Sequence, residues 1–187
     1  MPLKHQLDVP SLQISLFLNG EDESRIFQML NHLDKLKYHQ NFVSMMGRLM
    51  RKELFHISDS LKTREDIIDY LCSDLYEKGL SRENFRDRVF RREAMASTSF
   101  VHGFAVPHAT KISEGQSCIS ILILKEPVKW GNFPVRLVIL LAIKETDNRL
   151  LQVFFDWLCN LVTDSRTFEK LVQARDYEEF KKICDIE

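Results

Sequence analysis

The chain has 187 residues, 26 Lys plus Arg against 27 Asp plus Glu, a formal net charge of −1 and a hydrophobic fraction of 44%. That length supports one sizeable domain with an appendage, and that apolar content excludes an intrinsically disordered chain. The balanced charge predicts no general affinity for nucleic acid or an anionic membrane, and the longest apolar run, residues 137–143, is far too short to span a bilayer.

Residues 1–50 hold a short alternating piece from Leu12 to Leu16 and a turn at Asn19-Gly20. A polar stretch follows with Ile26, Met29, Leu30 and Leu33 at helical spacing. This mostly helical segment has too few apolar residues for a core of its own. It reads as the tail of a preceding domain plus a linker, or as an amphipathic arm on the main body.

From Leu54 onward, helix and strand patterns alternate. Thr63 with Asp66 marks a capped helix start, Ile67, Ile68, Leu71, Cys72 and Leu75 form its apolar face, and Gly79 ends it. Ser81 is the expected cap of a second helix, with Phe85 and Val89 inward and Arg82, Arg86, Arg88, Arg91 and Arg92 among its polar positions. Residues 104–106 form a short strand. Residues 119–124 form a buried one that Glu126-Pro127 is expected to break. Residues 131–134 turn the chain into 135–142, an apolar run interrupted by Arg136, as in a strand covered on both faces. Leu150, Leu151, Phe154, Phe155, Leu158, Leu161 and Val162 stripe a strongly amphipathic helix. Asp164 or Ser165 opens a short helix, and Asp176 with Glu179 caps the last, with Phe180 and Ile183 inward. Helices before, between and after buried strands define an α/β layered domain.

The chemistry gathers in TSFVHGFAVPHAT, residues 98–110. Pro107 cannot donate to a sheet ladder, so it marks a strand end and sets His108 on a rigid support just beyond the sheet. Imidazole is both a good nucleophile and a good leaving group near neutral pH. The competing reading is a structural histidine bonding a loop carbonyl. Arg88 and Arg92 share one helical face, and a guanidinium fork suits phosphoryl oxygens; the alternative is an ordinary solvated face. Ser97, Thr98 and Ser99 offer hydroxyl donors to an anion or simply form a turn, and Gly103 fits a bulge or a close backbone approach. His102 and His108 lack the third ligand zinc would need, since no His follows position 108. Phosphate-loop, dinucleotide and nucleophile-elbow motifs are missing, so neither a metal nor another cofactor is expected. Cys72, Cys118, Cys159 and Cys184 have no C-x-x-C spacing and fall in apolar patterns, as free thiols in a cytoplasmic protein do.

The segment RREAMASTSFVHGFAVPHAT resembles the active-site region of mannitol/fructose-type enzyme IIA domains of the bacterial phosphoenolpyruvate:sugar phosphotransferase system (PTS). Their Arg-Glu pair, Ser-Thr and G-[IVF]-A-[IV]-P-H correspond to Arg92-Glu93, Ser97-Thr98 and residues 103–108. The likeness continues through NFRDRVFRRE and LKEPVKWGNFPVRLVILLAIKE and covers residues 54–187. It implies a mixed β-sheet with helices on both faces and a IIA-like domain over residues 51–187. His108 would accept a phosphoryl group from phospho-HPr beside Arg92, with Thr98, Ser99 and His102 as supports. Because encounter partners meet on modest apolar patches, Phe100 and Phe104 are expected to be exposed around His108 for HPr to dock on. Two departures stand out. The phosphocarrier forms carry a second histidine near residues 147–151, where this chain has Asp147, Asn148, Arg149, Leu150 and Leu151, and His102 takes a place that is often acidic or polar.

VPSLQISLFLNGEDESRIFQML resembles the end of the enzyme-IIB-like domain and linker of multidomain antiterminator/activator regulators, which also carry PTS regulation domains (PRDs) and a nucleic-acid-binding module. Residues 1–50 would then close a IIB-like domain, although they contain no cysteine for a IIB phosphocysteine. The resemblance implies a cytoplasmic regulatory IIA-like domain whose partners are phospho-HPr and a IIB domain, of the same polypeptide or of a permease. The piece itself would contact no nucleic acid and insert in no membrane. A phosphocarrier serving a mannitol- or fructose-type permease is the alternative.

Overall fold

The computed structural model describes residues 42–110 and 115–186, with the side chains of residues 148–153 outside that description. The expectations for residues 1–41 therefore lie outside the described residues. The compact unit runs from Val43 to Glu187, so it takes in helical residues 43–49, whose Met45, Met46 and Leu49 are buried.

Five strands form one mixed sheet: β1 (Met50–Ser58), β2 (Ser99–Phe100), β3 (Phe104–Ala105), β4 (Cys118–Trp130) and β5 (Phe133–Ala142). Their spatial order is β1-β4-β5-β3-β2. β1 runs parallel to β4 and β3 parallel to β5, whereas β4/β5 and β2/β3 are antiparallel. Because side chains alternate across a strand, β4 and β5 are apolar on both faces. Leu122, Leu124, Val138 and Leu140 pack with Ile67, Leu71, Phe85 and Val89 of α1 (Arg64–Glu77) and α2 (Phe85–Met95). On the opposite face lie the later helices α3 (Asn148–Thr163), α4 (Ser165–Leu171) and α5 (Tyr177–Ile183), and Phe55 of β1 meets Tyr177 and Phe180 there. The expected sheet between two helical layers is therefore the observed one.

Local chemistry sets most boundaries where the sequence placed them. Thr63 caps α1 through Asp66 N (3.1 Å), Asp164 caps α4 through Arg166 N and Thr167 N, and Asp176 caps α5 through Glu179 N (2.8 Å). Gly79 ends α1 at φ +70°, and Leu80 N returns to Leu75 O (2.9 Å). Two boundaries differ. Ser81 is not the cap of α2, which starts at Phe85; its side chain is buried instead. Nor does Pro127 end a strand. It sits exposed in a bulge where pairing lapses after Ile123↔Leu137 and resumes at Val128↔Val135, so β4 continues to Trp130.

Burial pushes the Cys72 thiol up to about 12 and the Cys118 thiol to about 11, and raises Cys184 further. These three serve as small core residues, while Cys159 is exposed. Among the described residues no helix is long and apolar enough to cross a membrane.

Candidate functional site

β3 carries the chain along β5 to the sheet's end. Pro107 O accepts from Leu141 N (2.9 Å), and His108 forms a last isolated bridge with Leu141. The imidazole is thus fixed to the frame by its own backbone. Its Nδ1 lies 2.9 Å from Val106 O. A carbonyl can only accept, so Nδ1 carries the proton and Nε2 presents its lone pair. The ring is bonded to a loop carbonyl through Nδ1, which leaves Nε2 to face a partner on the other side.

Arg92 Nε donates to His108 Nε2 across 3.1 Å. Arg92 Nη1 donates to Ala96 O (2.9 Å), a carbonyl just past the helix end, where a cation is favoured. The guanidinium is therefore tethered on one side and lies against the lone pair on the other. Arg88, its companion one turn earlier, is half-buried.

Glu93 holds this corner in place. Phe85, Val89 and Glu93 are the buried positions of α2, at i, i+4, i+8 spacing. The buried Glu93 carboxylate accepts from Thr98 N (3.1 Å), Thr98 Oγ1 (2.6 Å) and Trp130 Nε1 (2.8 Å). An acidic residue in an inward stripe was the signal that could have identified it. The same bonds show where the neighbouring hydroxyls point. Thr98 is buried against Glu93, and Ser99 Oγ donates to Trp130 O (2.6 Å), so both hydroxyls bind protein. His102 is exposed in the turn between β2 and β3. Of the expected site residues, the structure brings His108 and Arg92 together and gives Thr98 and Ser99 structural partners.

Gly131 completes the support. Its φ of +61° suits the two-residue turn between β4 and β5, and a Cβ there would lie 2.6 Å from Ser97 Oγ. The hairpin tip thereby closes on the Ser97–Ser99 turn. Beside the ring, a cavity of about 90 Å3 is lined by His108, Ala109, Leu141, Ile143 and Phe155. Further out, Met95, Phe100 and Val101 are exposed apolar side chains, at 82%, 44% and 69%. Phe104, also expected at the surface, is instead buried beneath Phe100, with the rings stacked at 4.6 Å. Just before residues 148–151, Glu145–Asp147 form a short 3-10 turn pinned by Ser117 Oγ donating to Asp147 Oδ2.

A mixed sheet between helical layers, with a histidine fixed at a strand end and an arginine on its ring, frames a sugar phosphotransferase IIA domain. The chain belongs to that family: residues 48–186 match the family described as phosphoenolpyruvate-dependent sugar phosphotransferase system, EIIA 2. Two similar proteins, both from Bacillus subtilis (strain 168), are the probable licABCH operon regulator and the transcriptional regulator ManR. Each is 28% identical, over 99% and 96% of this chain respectively, and the chain spans 28% of the length of each. Among solved structures, the complex of enzyme IIAMTL and phosphorylated enzyme IIBMTL from Escherichia coli matches with a TM-score of 0.63 at 22% identity. That match covers 73% of this chain and 99% of that one, and shows the shared fold.

Proposed function

We propose that the domain accepts a phosphoryl group from phospho-HPr on His108 Nε2, and that occupancy of this site regulates a sugar-responsive transcriptional regulator. The observation that carries the first part is one ring with both nitrogens assigned: Nδ1–H on Val106 O and Nε2 facing Arg92. In the transfer, the Nε2 lone pair forms the new N–P bond while the donor's N–P bond breaks, its electron pair returning to the donor imidazole. The positive charge gained by the His108 ring is stabilised through Nδ1–H by the Val106 carbonyl. Arg92 Nε, released from the lone pair, donates to the phosphoryl oxygens. No proton needs to move. Catalysis then reduces to positioning and charge compensation, which a tethered guanidinium and a frame-bound ring supply.

The regulatory part is supported by the two Bacillus regulators, which align through residues 1–50 as well as the IIA domain. In this reading residues 1–50 close a IIB-like domain and its linker, and residues 51–187 are the IIA-like domain. A second reading, a carrier that hands the phosphoryl group to a permease IIB domain, draws on the fold shared with the IIAMTL–IIBMTL complex. One experiment addresses both. Incubation with phosphoenolpyruvate, enzyme I and HPr should add one acid-labile phosphate, which His108→Ala removes. The loaded protein is then chased with IIB domains of mannitol- and fructose-type permeases. Slow discharge is expected; rapid, complete discharge to one of them contradicts the regulatory reading, and labelling that survives His108→Ala contradicts the site.

A further inference from the structure

A second polar site lies at the other end of the sheet. Arg136 N and Leu137 N both donate to Gly103 O, at 2.8 and 3.3 Å. Two successive amides on one carbonyl mark a β-bulge, which turns neighbouring side chains to the same face. Arg136, otherwise destined for the α1–α2 core, is re-aimed beneath the chain that links α4 to α5. Its side chain is 29% exposed, and the guanidinium meets Glu169 Oε2 through Nη1 at 3.6 Å, longer than a good ion-pair hydrogen bond. Its Nε is buried with no hydrogen-bond partner among the described residues. A half-buried, under-satisfied cation is costly unless something else compensates it.

Arg136 lines a cavity of about 460 Å3 together with Lys125, Gln173 and Arg175, over an apolar floor that includes Ile57 and Ile123. That size suits a small organic molecule. Arg175 is paired with Glu179 and feels Asp176 as well, and Arg136 meets Glu169 at long range, whereas Lys125 makes no ion pair among the described residues. Arg136 stands near the start of β5 and His108 bridges Leu141 near its end, so the cavity lies roughly 16 Å along the strand from the imidazole.

We infer that this cavity binds a small phosphate-bearing metabolite, its oxyanion held by Arg136 and Lys125 and its body resting on Ile57 and Ile123. A guanidinium fork, an ammonium and an amide supply more donors than one carboxylate ligand would use, and match the oxygens of a phosphate. The inference is independent of phosphorylation at His108.

The test is calorimetric titration of the full chain with glucose 6-phosphate, inorganic phosphate and glucose, with amide chemical shifts to locate binding. Glucose 6-phosphate should bind saturably and more tightly than inorganic phosphate, and glucose should not bind. Shifts should centre on Lys125, Arg136 and Gln173. Arg136→Gln should weaken binding about tenfold or more. Lys125→Gln, at an exposed position that leaves the fold unstressed, should weaken it several-fold, and His108→Ala should leave it unchanged. Absence of saturable binding, equal affinity for inorganic phosphate, shifts centred on His108 and Arg92, or insensitivity to both charge substitutions would each overturn the inference.

Discussion

Trp130 Nε1 donates to Glu93 Oε1 across 2.8 Å, joining the last turn of α2 to the end of β4. Glu93 is adjacent to Arg92, so this bond and the two from Thr98 fix where the guanidinium emerges. Glu93→Ala would leave three donors unsatisfied in a buried place, each worth roughly 1–3 kcal/mol. A loss of about 3 kcal/mol or more is expected from urea unfolding. Glu93→Gln keeps the Oε1 acceptor and lets the Thr98 hydroxyl reverse its role, so it should cost less than half as much. Equal losses would show that bulk, not acceptor geometry, is what this position supplies.

Arg92→Ala should slow phosphoryl transfer from phospho-HPr about ten- to a hundredfold, the value of a charge-assisted contact of roughly 1.5–3 kcal/mol, with the unfolding midpoint almost unchanged. Arg92→Lys should recover only part of the rate, because an ammonium cannot bind Ala96 O and reach a phosphoryl group with one planar fork. Single-turnover labelling of the three proteins gives the comparison. A wild-type rate in Arg92→Ala would make the Arg92–His108 contact incidental.

How far these features were legible differs by residue. The caps at Thr63, Asp164 and Asp176 were legible because a short polar side chain before an apolar-periodic run has few other uses. The strand end at Pro107 was legible for a similar reason. Ser81 failed as a cap because the chain turns at Leu80, whose O accepts from Gln116 N, before α2 begins. Pro127 misled because a bulge tolerates the missing N–H, a tertiary circumstance with no local mark. In the site, the resemblance selected Arg92 from five arginines, whereas spacing alone left it level with Arg88. For Thr98 and Ser99 the sequence left an anion contact and a turn open, because the partners they have, Glu93 and Trp130 O, are determined by long-range packing.

The apolar surface near the site should govern encounter with the phosphoryl donor rather than chemistry. Met95→Ser together with Val101→Ser should raise the donor concentration for half-maximal rate about five- to tenfold and leave the maximal rate unchanged. Phe100→Ser should do the same while also removing the stack on Phe104. A fall in maximal rate with no change in half-saturation would place these side chains in positioning His108 instead.

His56 provides a pH test of the frame. Its ring, on β1, faces Tyr70 and Asp74 of α1, with Lys78 paired to Asp74 beyond; Tyr70 OH lies 3.1 Å from Nδ1 and Asp74 Oδ2 3.3 Å from Nε2. Burial is the main cause that lowers its pKa below 6.5, with Lys78 acting in the same direction and Asp74 against it. The unfolded chain therefore binds the proton more readily than the folded one. Stability from this group is full above about pH 6.5 and declines as pH falls toward the folded-state value. The urea midpoint should drop between about pH 7 and pH 5 by more in wild type than in His56→Gln. A parallel drop would exclude His56 as a source of acid sensitivity.

The central claim is that His108 Nε2 is the atom that takes the phosphoryl group. Nitrogen-15 NMR of imidazole-labelled protein, recorded after phosphorylation by phosphoenolpyruvate, enzyme I and HPr, reads this directly. The account predicts phosphorus coupling at Nε2 of His108, with the Nδ1 proton retained on the Val106 carbonyl. Coupling at Nδ1, or phosphate on any other histidine, would contradict it.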